Sequence, residues 1–256
     1  MKISIITVCR NSELTIRDCI ESVIAQNHHD IEYIVVDGAS TDGTMRVIRE
    51  YSEYISSMVS QPDKGIYDAM NKGLGIATGD VIGFLNSDDF YQDNSVLSEV
   101  IDCFQRSPRS DLVIGDVVFV QPDNLERVVR YYSSAGFKPW KLRFGFMPPH
   151  PATFITREAY QRVGCYSLGY QISADYEMFV RLLLLHNSAV TRIDNVLVKM
   201  RVGGVSTSGL RNSIRLNMEI VRACRENGVY TNLIFILSKI PFKLLELLPG
   251  LRTKKQ

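Results

Sequence analysis

No stretch of 18 uninterrupted apolar residues occurs in this chain, so no membrane-spanning helix is expected. The five cysteines, Cys9, Cys19, Cys103, Cys165 and Cys224, include no CxxC pair. An odd, scattered set favours reduced thiols over a disulfide framework or a zinc site. Charge of one sign is missing too: the net charge is +1, which gives no field to attract nucleic acid. No G-x-G-x-x-G follows the first strand-like run. That run begins almost at Met1 with no apolar leader core, so a cytoplasmic location is expected. His28, His29 and His186 show no metal-ligand spacing, and there is no internal repeat. What remains is 256 residues, 45% hydrophobic and 22% charged, enough for one large domain or a domain with an appendage.

The first half alternates two periodicities. Apolar, β-branched runs at 3–8, 31–36, 58–59 and 81–85 read as strands. Between them, helical stripes include Ile16, Ile20, Val23 and Ile24, with Asn11-Ser12 as the expected cap, and Val47, Ile48 and Tyr51 after Asp42. A further helix is expected over 66–77. This order predicts an α/β fold, a Rossmann-like, mostly parallel sheet flanked by helices. Polar groups then collect at the carboxyl ends of strands, where Thr7, Asp37, Asp63 and Asp88 fall.

The second half changes character. Strands are expected at 112–120 and 127–132 around the turn Gln121-Pro122-Asp123-Asn124. A loop rich in Pro and Gly runs over 136–151, followed by helices at 157–163 and 175–185 and a strand at 190–200. A glycine loop at 203–209 leads to two helices, roughly 210–227 and 231–248. The expected division is 1–120, 121–207 and a C-terminal helical extension over 208–256.

Four constellations carry chemistry. Asn86-Ser87-Asp88-Asp89 ends a buried strand with adjacent carboxylates, which are costly to hold together without a cation. Mg²⁺ or Mn²⁺ needs one or two carboxylates plus substrate phosphates, a minimum that Asp88 and Asp89 supply. The competing reading is a turn before the next helix. Asp37-Gly38-Ala39-Ser40-Thr41-Asp42-Gly43-Thr44 offers a carboxylate for a base or ribose, or merely a tight turn capped by Asp42. Asp63-Lys64-Gly65 opens a helix bearing Asp68, Asn71 and Lys72, either beside a nucleotide or as a surface ion pair. Ser173-Ala174-Asp175-Tyr176-Glu177 puts Asp175 in a first helical turn, suited to general-base work or to plain helix stabilisation. His150 and Trp140, in the loop opposite the expected metal edge, can line a sugar site, although a lone His is more often structural.

In order and spacing, these blocks resemble inverting family-2 glycosyltransferases of GT-A fold, over residues 1 to about 206. The matching segments are Ile5-Ile6-Thr7-Val8-Cys9-Arg10-Asn11, Val35-Val36-Asp37-Gly38-Ala39-Ser40-Thr41-Asp42-Gly43-Thr44, Asp63-Lys64-Gly65-Ile66-Tyr67-Asp68-Ala69-Met70-Asn71, Phe84-Leu85-Asn86-Ser87-Asp88-Asp89 and Ala174-Asp175-Tyr176-Glu177. The closest subgroup is the bacterial enzymes of colanic-acid-like or O-antigen polysaccharides. The resemblance implies that Thr7 and Asp37 contact base and ribose, with Asp63 and Lys64 nearby. It implies Asp88 on the metal, Asp89 on the metal or donor sugar, and Asp175 as base toward the acceptor hydroxyl. Asn11, Asp68 and His150 join the expected donor site. Asn86 departs from the usual leading Asp of the family's Asp-x-Asp motif. The Gln-x-x-Arg-Trp motif of processive synthases is missing, so one sugar per encounter is expected.

The implied partners are a UDP- or GDP-linked sugar donor and a glycan or lipid-linked acceptor. A non-catalytic nucleotide-sugar-binding or membrane-docking module is the alternative; a nucleotidyltransferase lacks its phosphate loop here. The segment 229–256 is apolar and basic, interrupted by Pro241 and Pro249. It is expected either to lie on the inner face of the cytoplasmic membrane or to pack on protein.

Overall fold

Strand β1 (Ile3–Cys9) is buried along its whole length, as apolar residues on both faces require of a central parallel strand. It pairs in parallel with β2 (Ile31–Asp37) on one side and β4 (Val81–Phe84) on the other. Beyond β2 lies β3 (Ser57–Ser60), also parallel. The computed structural model describes residues 1–203 and 210–239. The expected glycine loop and the chain beyond 239 therefore fall outside the described residues, apart from Gly203.

Helices α1 (Ile16–Ile24), α2 (Thr44–Glu50) and α3 (Ile66–Ile76) cross between these strands. The buried stripe of α1 is Ile16, Cys19, Ile20 and Val23. Asn11-Ser12 does not cap it: the cap position is Thr15, and Asn11 adopts φ 52° to turn the chain instead. Asp42 does brace α2, its Oδ1 accepting from the Thr44 amide at 3.0 Å.

Past β4 the sheet becomes mixed. The order is β3-β2-β1-β4-β8-β6-β9-β5, with β7 on β6. Here β5 is Asp89–Tyr91, β6 Leu112–Gln121, β7 Asn124–Tyr132, β8 Thr153–Thr156 and β9 Val190–Arg201. Helix α4 (Val96–Arg106) follows β5. Strands β8 and β5 have no counterpart among the sequence-based expectations. Each is at most four residues long and gains its identity only from partners distant in sequence, Val81–Gly83 for β8 and Val198–Met200 for β5. The β6–β7 turn is tighter than expected, since Gln121 already pairs with Asn124.

Two apolar layers sandwich the sheet. Ile6, Val8, Ile34, Val36, Ile82 and Phe84 face one, and Ile3, Ile5, Tyr33, Val35, Val81 and Leu85 face the other. The period-2 alternation of a strand decides which side chain lies where. Helix α5 (Arg157–Val163) follows β8, and α6 (Ala174–Val180) continues into a π-helical turn at Arg181–Leu185. Helix α7 (Leu210–Glu226) packs Ile220, Ala223 and Cys224 into the core that holds Tyr176. Short α8 (Leu233–Leu237) sets Phe235 on Phe144, centroids 5.0 Å apart. All five cysteines are free thiols.

Candidate active site

Three loops at the carboxyl ends of β1, β2 and β4 are stapled together. The Asn11 amide donates to Ser40 Oγ at 2.8 Å, and the Thr41 amide donates to Asn11 Oδ1 at 2.9 Å. Ser12 Oγ lies 2.8 Å from Ser87 Oγ, joining the first loop to the Asn86–Asp89 stretch. Asn11 thus acts as a brace between two loops.

Asp37 is fully buried. Its carboxylate accepts from the Ser40 amide at 3.1 Å, Ser40 Oγ at 2.5 Å and Ser60 Oγ at 2.7 Å. It organises the loop from within. Asp63 is half-buried and reaches over Gly38, where an added Cβ would stand 2.1 Å from Asp63 Oδ2. A side chain at position 38 would displace the Asp63 carboxylate from that place. Lys64 is exposed.

Two residues expected at the donor have partners within the protein. Thr7 shares the strand face of Ile3 and Ile5, which points under α1. Its side chain is wholly buried, receives the Tyr33 hydroxyl at 3.2 Å and lies 3.5 Å from Cys19 Sγ. It is therefore a core hydroxyl. Asp68 accepts from the Lys64 amide at 3.0 Å and pairs with Lys72 at 3.2 Å. Those bonds hold its pKa below the usual value, the backbone bond from Lys64 first. It is the i, i+4 surface pair of the plainer reading.

At the end of β4 the carboxylates behave as a strained pair. Asp89 is almost completely buried, and burial followed by the charge of Asp88 pushes its pKa well up. Asp88 is half-buried; burial raises its pKa while Arg201 opposes the rise. Asn86 Nδ2 donates to Asp89 Oδ2 at 3.2 Å. Asp89 Oδ1 and Asn86 Oδ1 are buried with no hydrogen-bond partner. Such orphaned oxygens fit a hard cation. No group of three or more His, Cys, Asp or Glu that could hold a metal occurs among the described residues. The donor set thus suits an ion shared with a ligand's oxygens and not an all-protein cage. Arg201, missed in the sequence, donates to the Asp88 carbonyl at 2.7 Å and also bonds Asp18. Separated from Asp88 by 113 residues, it gives no local signal.

Asp175 sits in an aromatic enclosure. The Tyr67 hydroxyl lies 3.2 Å from its Oδ1, and the Tyr176 amide donates to the same oxygen at 2.8 Å. Among the described residues nothing is hydrogen-bonded to Oδ2. Burial raises the Asp175 pKa, against the pull of His150, the Tyr176 amide and Tyr67. His150 Nε2 is 2.9 Å from the Tyr166 hydroxyl, and the ring stacks on Phe84 with centroids 5.7 Å apart. Burial lowers the His150 pKa, against the charge of Asp175, which raises it. Phe84 ends β4, two residues before Asn86, and Tyr67 stands four residues after Asp63. Asp175 is thereby tied to both the carboxylate pair and the Asp63 turn. Trp140 is apart from this group, exposed and edge-on to Phe144.

The half-buried Asp175 carboxyl, its pKa raised by burial, is thus linked through Tyr67 and the His150–Phe84 stack to the turn that carries Asp63 and the strand end that carries Asp88 and Asp89. The model of glycosyl transferase family 2 matches residues 4–164. The chain belongs to that family and is an enzyme of the hexosyltransferase type. It is 30% identical over 210 residues to a PGL/p-HBAD biosynthesis glycosyltransferase of Mycobacterium bovis, covering 80% of this chain and 79% of that protein. Among solved structures it is similar to residues 1–349 of S. aureus TarS in complex with UDP-GlcNAc, with a TM-score of 0.69 and 18% identity over 87% of this chain and 66% of that one. Against a longer TarS chain it spans 39% of the length. It also resembles the mannosyltransferase PcManGT from Pyrobaculum calidifontis, in complex with GDP-Man and Mn²⁺, with a TM-score of 0.66 and 18% identity over 94% of this chain and 69% of that one. The fold is therefore GT-A.

Proposed function

We propose that this enzyme moves one sugar from a nucleotide-diphospho-sugar to an acceptor hydroxyl, with inversion, in building a bacterial cell-surface glycan. The observation that carries the reading is Asp175: half-buried, raised in pKa by that burial, and with the Tyr67 hydroxyl and the Tyr176 amide both on Oδ1. A carboxylate of raised basicity suits removal of a hydroxyl proton. The hydroxyl oxygen then attacks the anomeric carbon from the face opposite the leaving diphosphate. The loop over 37–43 and the Asp63 turn form the nucleotide side, His150 and Phe84 a sugar-facing wall. Residues 1–120 supply the donor half and 121–207 the acceptor half.

Asp88 and Asp89 would hold Mn²⁺ or Mg²⁺ together with the diphosphate; when bound, that ion supplies positive charge against the leaving group. The two neighbours, in complex with UDP-GlcNAc and with GDP-Man plus Mn²⁺, support a nucleotide-sugar donor and a divalent ion.

The C-terminal part supports contact with a lipid surface and a lipid-linked acceptor. Described segment 229–239 both packs and exposes apolar surface: Ile236 is buried, while Ile234 is 79% exposed beside exposed Tyr230, Leu233 and Leu237. Trp140 adjoins the patch through Phe144, and Lys138, Lys141 and Arg143 lie on the same turn. No helix among the described residues is long and apolar enough to cross a membrane, so the association proposed is peripheral.

Replacement of Asp175 by Asn tests the enzymatic reading: transfer falls while donor binding persists. Unchanged transfer overturns it.

A further inference from the structure

Helix α7 grips the loop that leads into Asp175 along its whole length. Arg215, Glu219, Arg222 and Glu226 recur at i, i+4, i+7 and i+11, one face of a helix. In the sequence that pattern reads as a solvated charged face. In the structure each member meets the segment 169–173. Arg222 donates to the Gly169 carbonyl at 2.6 Å, and the Tyr170 hydroxyl donates to Glu226 at 2.5 Å. Arg215 donates to the Gln171 side chain at 2.5 Å. Glu219 is buried and accepts three consecutive amides, Gln171 on Oε1 and Ile172 and Ser173 on Oε2, each at 3.0 Å.

The held loop turns its Ile172 carbonyl toward Tyr67. The Tyr67 hydroxyl donates to that carbonyl at 2.6 Å and lies 3.2 Å from Asp175 Oδ1. A phenol has one proton to give. The nearer carbonyl takes the larger share, and the carboxylate receives the remainder. We propose that Glu219 is a positioning residue for Asp175: by fixing the Ile172 carbonyl against Tyr67, it sets how much of that single hydroxyl proton reaches the carboxylate.

The inference rests on the reading of Asp175 as the base. It makes α7 part of the reacting unit and not a mere appendage. A carboxylate given less of the Tyr67 proton is a stronger base. The other groups that act on Asp175 are His150, which favours the carboxylate, and the Tyr176 amide; Tyr166 in turn feels its charge. None of them is bonded to Glu219, whose partners are the Gln171, Ile172 and Ser173 amides.

The test is a carbon-13 NMR titration of carboxyl-labelled aspartate in the full chain, with Asp175 assigned by the signal that Asp175→Asn removes. Glu219→Gln turns an amide N–H₂ against backbone donors and frees the loop. The Tyr67 proton then passes to Asp175, whose proton affinity falls by about tenfold, one pKa unit. Tyr67→Phe removes that proton and raises the affinity. The double variant titrates like Tyr67→Phe alone, since Glu219 acts through Tyr67. A Glu219→Gln titration equal to wild type overturns the proposal, as does an equal shift in the Tyr67→Phe background. Should Glu219→Gln fail to fold, Tyr67→Phe decides alone: an unmoved Asp175 overturns the proposal. Transfer retained by Asp175→Asn removes the base reading, and this proposal with it, even if the titrations shift. Lost transfer in Asp175→Asn with flat titrations removes only the role of Glu219.

Discussion

The Tyr67 hydroxyl lies 3.2 Å from Asp175 Oδ1, a contact between residues 108 apart in the chain. It joins the helix after the Asp63 turn to the first turn of α6. Tyr67→Phe removes one neutral donor from a carboxylate, a loss on the order of 1 kcal/mol. Asp175 then holds its proton more tightly, so the expected outcome is an acidic limb of the kcat–pH profile moved to higher pH with KM unchanged. Steady-state kinetics over a pH series checks it; a change confined to KM contradicts it.

The carboxylate pair predicts how stability responds to pH and to metal. Burial holds Asp88 and Asp89 above the ordinary value of 3.8. Their contribution to stability is therefore fully present below about pH 4 and is lost as pH rises through the raised folded values. A divalent cation removes that cost by pairing with the charged forms. Thermal melting with Mn²⁺ and UDP should show a gain in Tm that grows from pH 5 to pH 8. Asp88→Ala should abolish the gain. A gain independent of pH, or one that survives Asp88→Ala, contradicts the assignment.

At the opposite edge of the sheet, Glu32 predicts the reverse trend. Burial favours its neutral form, but bonds from Ser4, Thr78 and Lys2 outweigh that and bring its pKa from 4.5 to about 2. The stabilisation is present above pH 4.5 and lost as pH falls toward 2. Glu32→Gln should cost about 2 kcal/mol at neutral pH and almost nothing near pH 2. Urea unfolding across that range measures the difference.

The carboxyl ends of strands were legible because period and burial agree there: the parallel strands β1, β2 and β4 end within one residue of the expected bounds. The same rule places Thr7, whose odd position matches Ile3 and Ile5, on the face toward α1. Other features lack any local trace. Strand β8 is four residues that become a strand only between β4 and β6. Arg201 beside Asp88, and Glu219 beneath the Asp175 loop, are set by contacts 113 and 46 to 48 residues away. The Asp175 carboxyl itself was visible as a first-turn acid, but its burial and its Tyr67 partner belong to the folded chain alone.

The exposed face of α8 predicts lipid association. Burying an aliphatic side chain of this size contributes about 1.5–3 kcal/mol. The double variant Ile234→Asp, Leu237→Asp should lower flotation on vesicles containing anionic lipid by tenfold or more. Turnover on a water-soluble acceptor should hold within about twofold, because the change lies outside the residues around Asp175. Equal flotation of variant and wild type contradicts a membrane role.

The central claim is that Asp175 takes the acceptor proton while other residues hold the donor. The most direct measurement pairs transfer kinetics with calorimetric donor binding for Asp175→Asn, using a panel of UDP- and GDP-sugars with Mn²⁺. The expected result is a kcat lower by about 10³-fold, within the range of a lost general base, with donor Kd changed by no more than about twofold. Transfer at the wild-type rate would contradict the account.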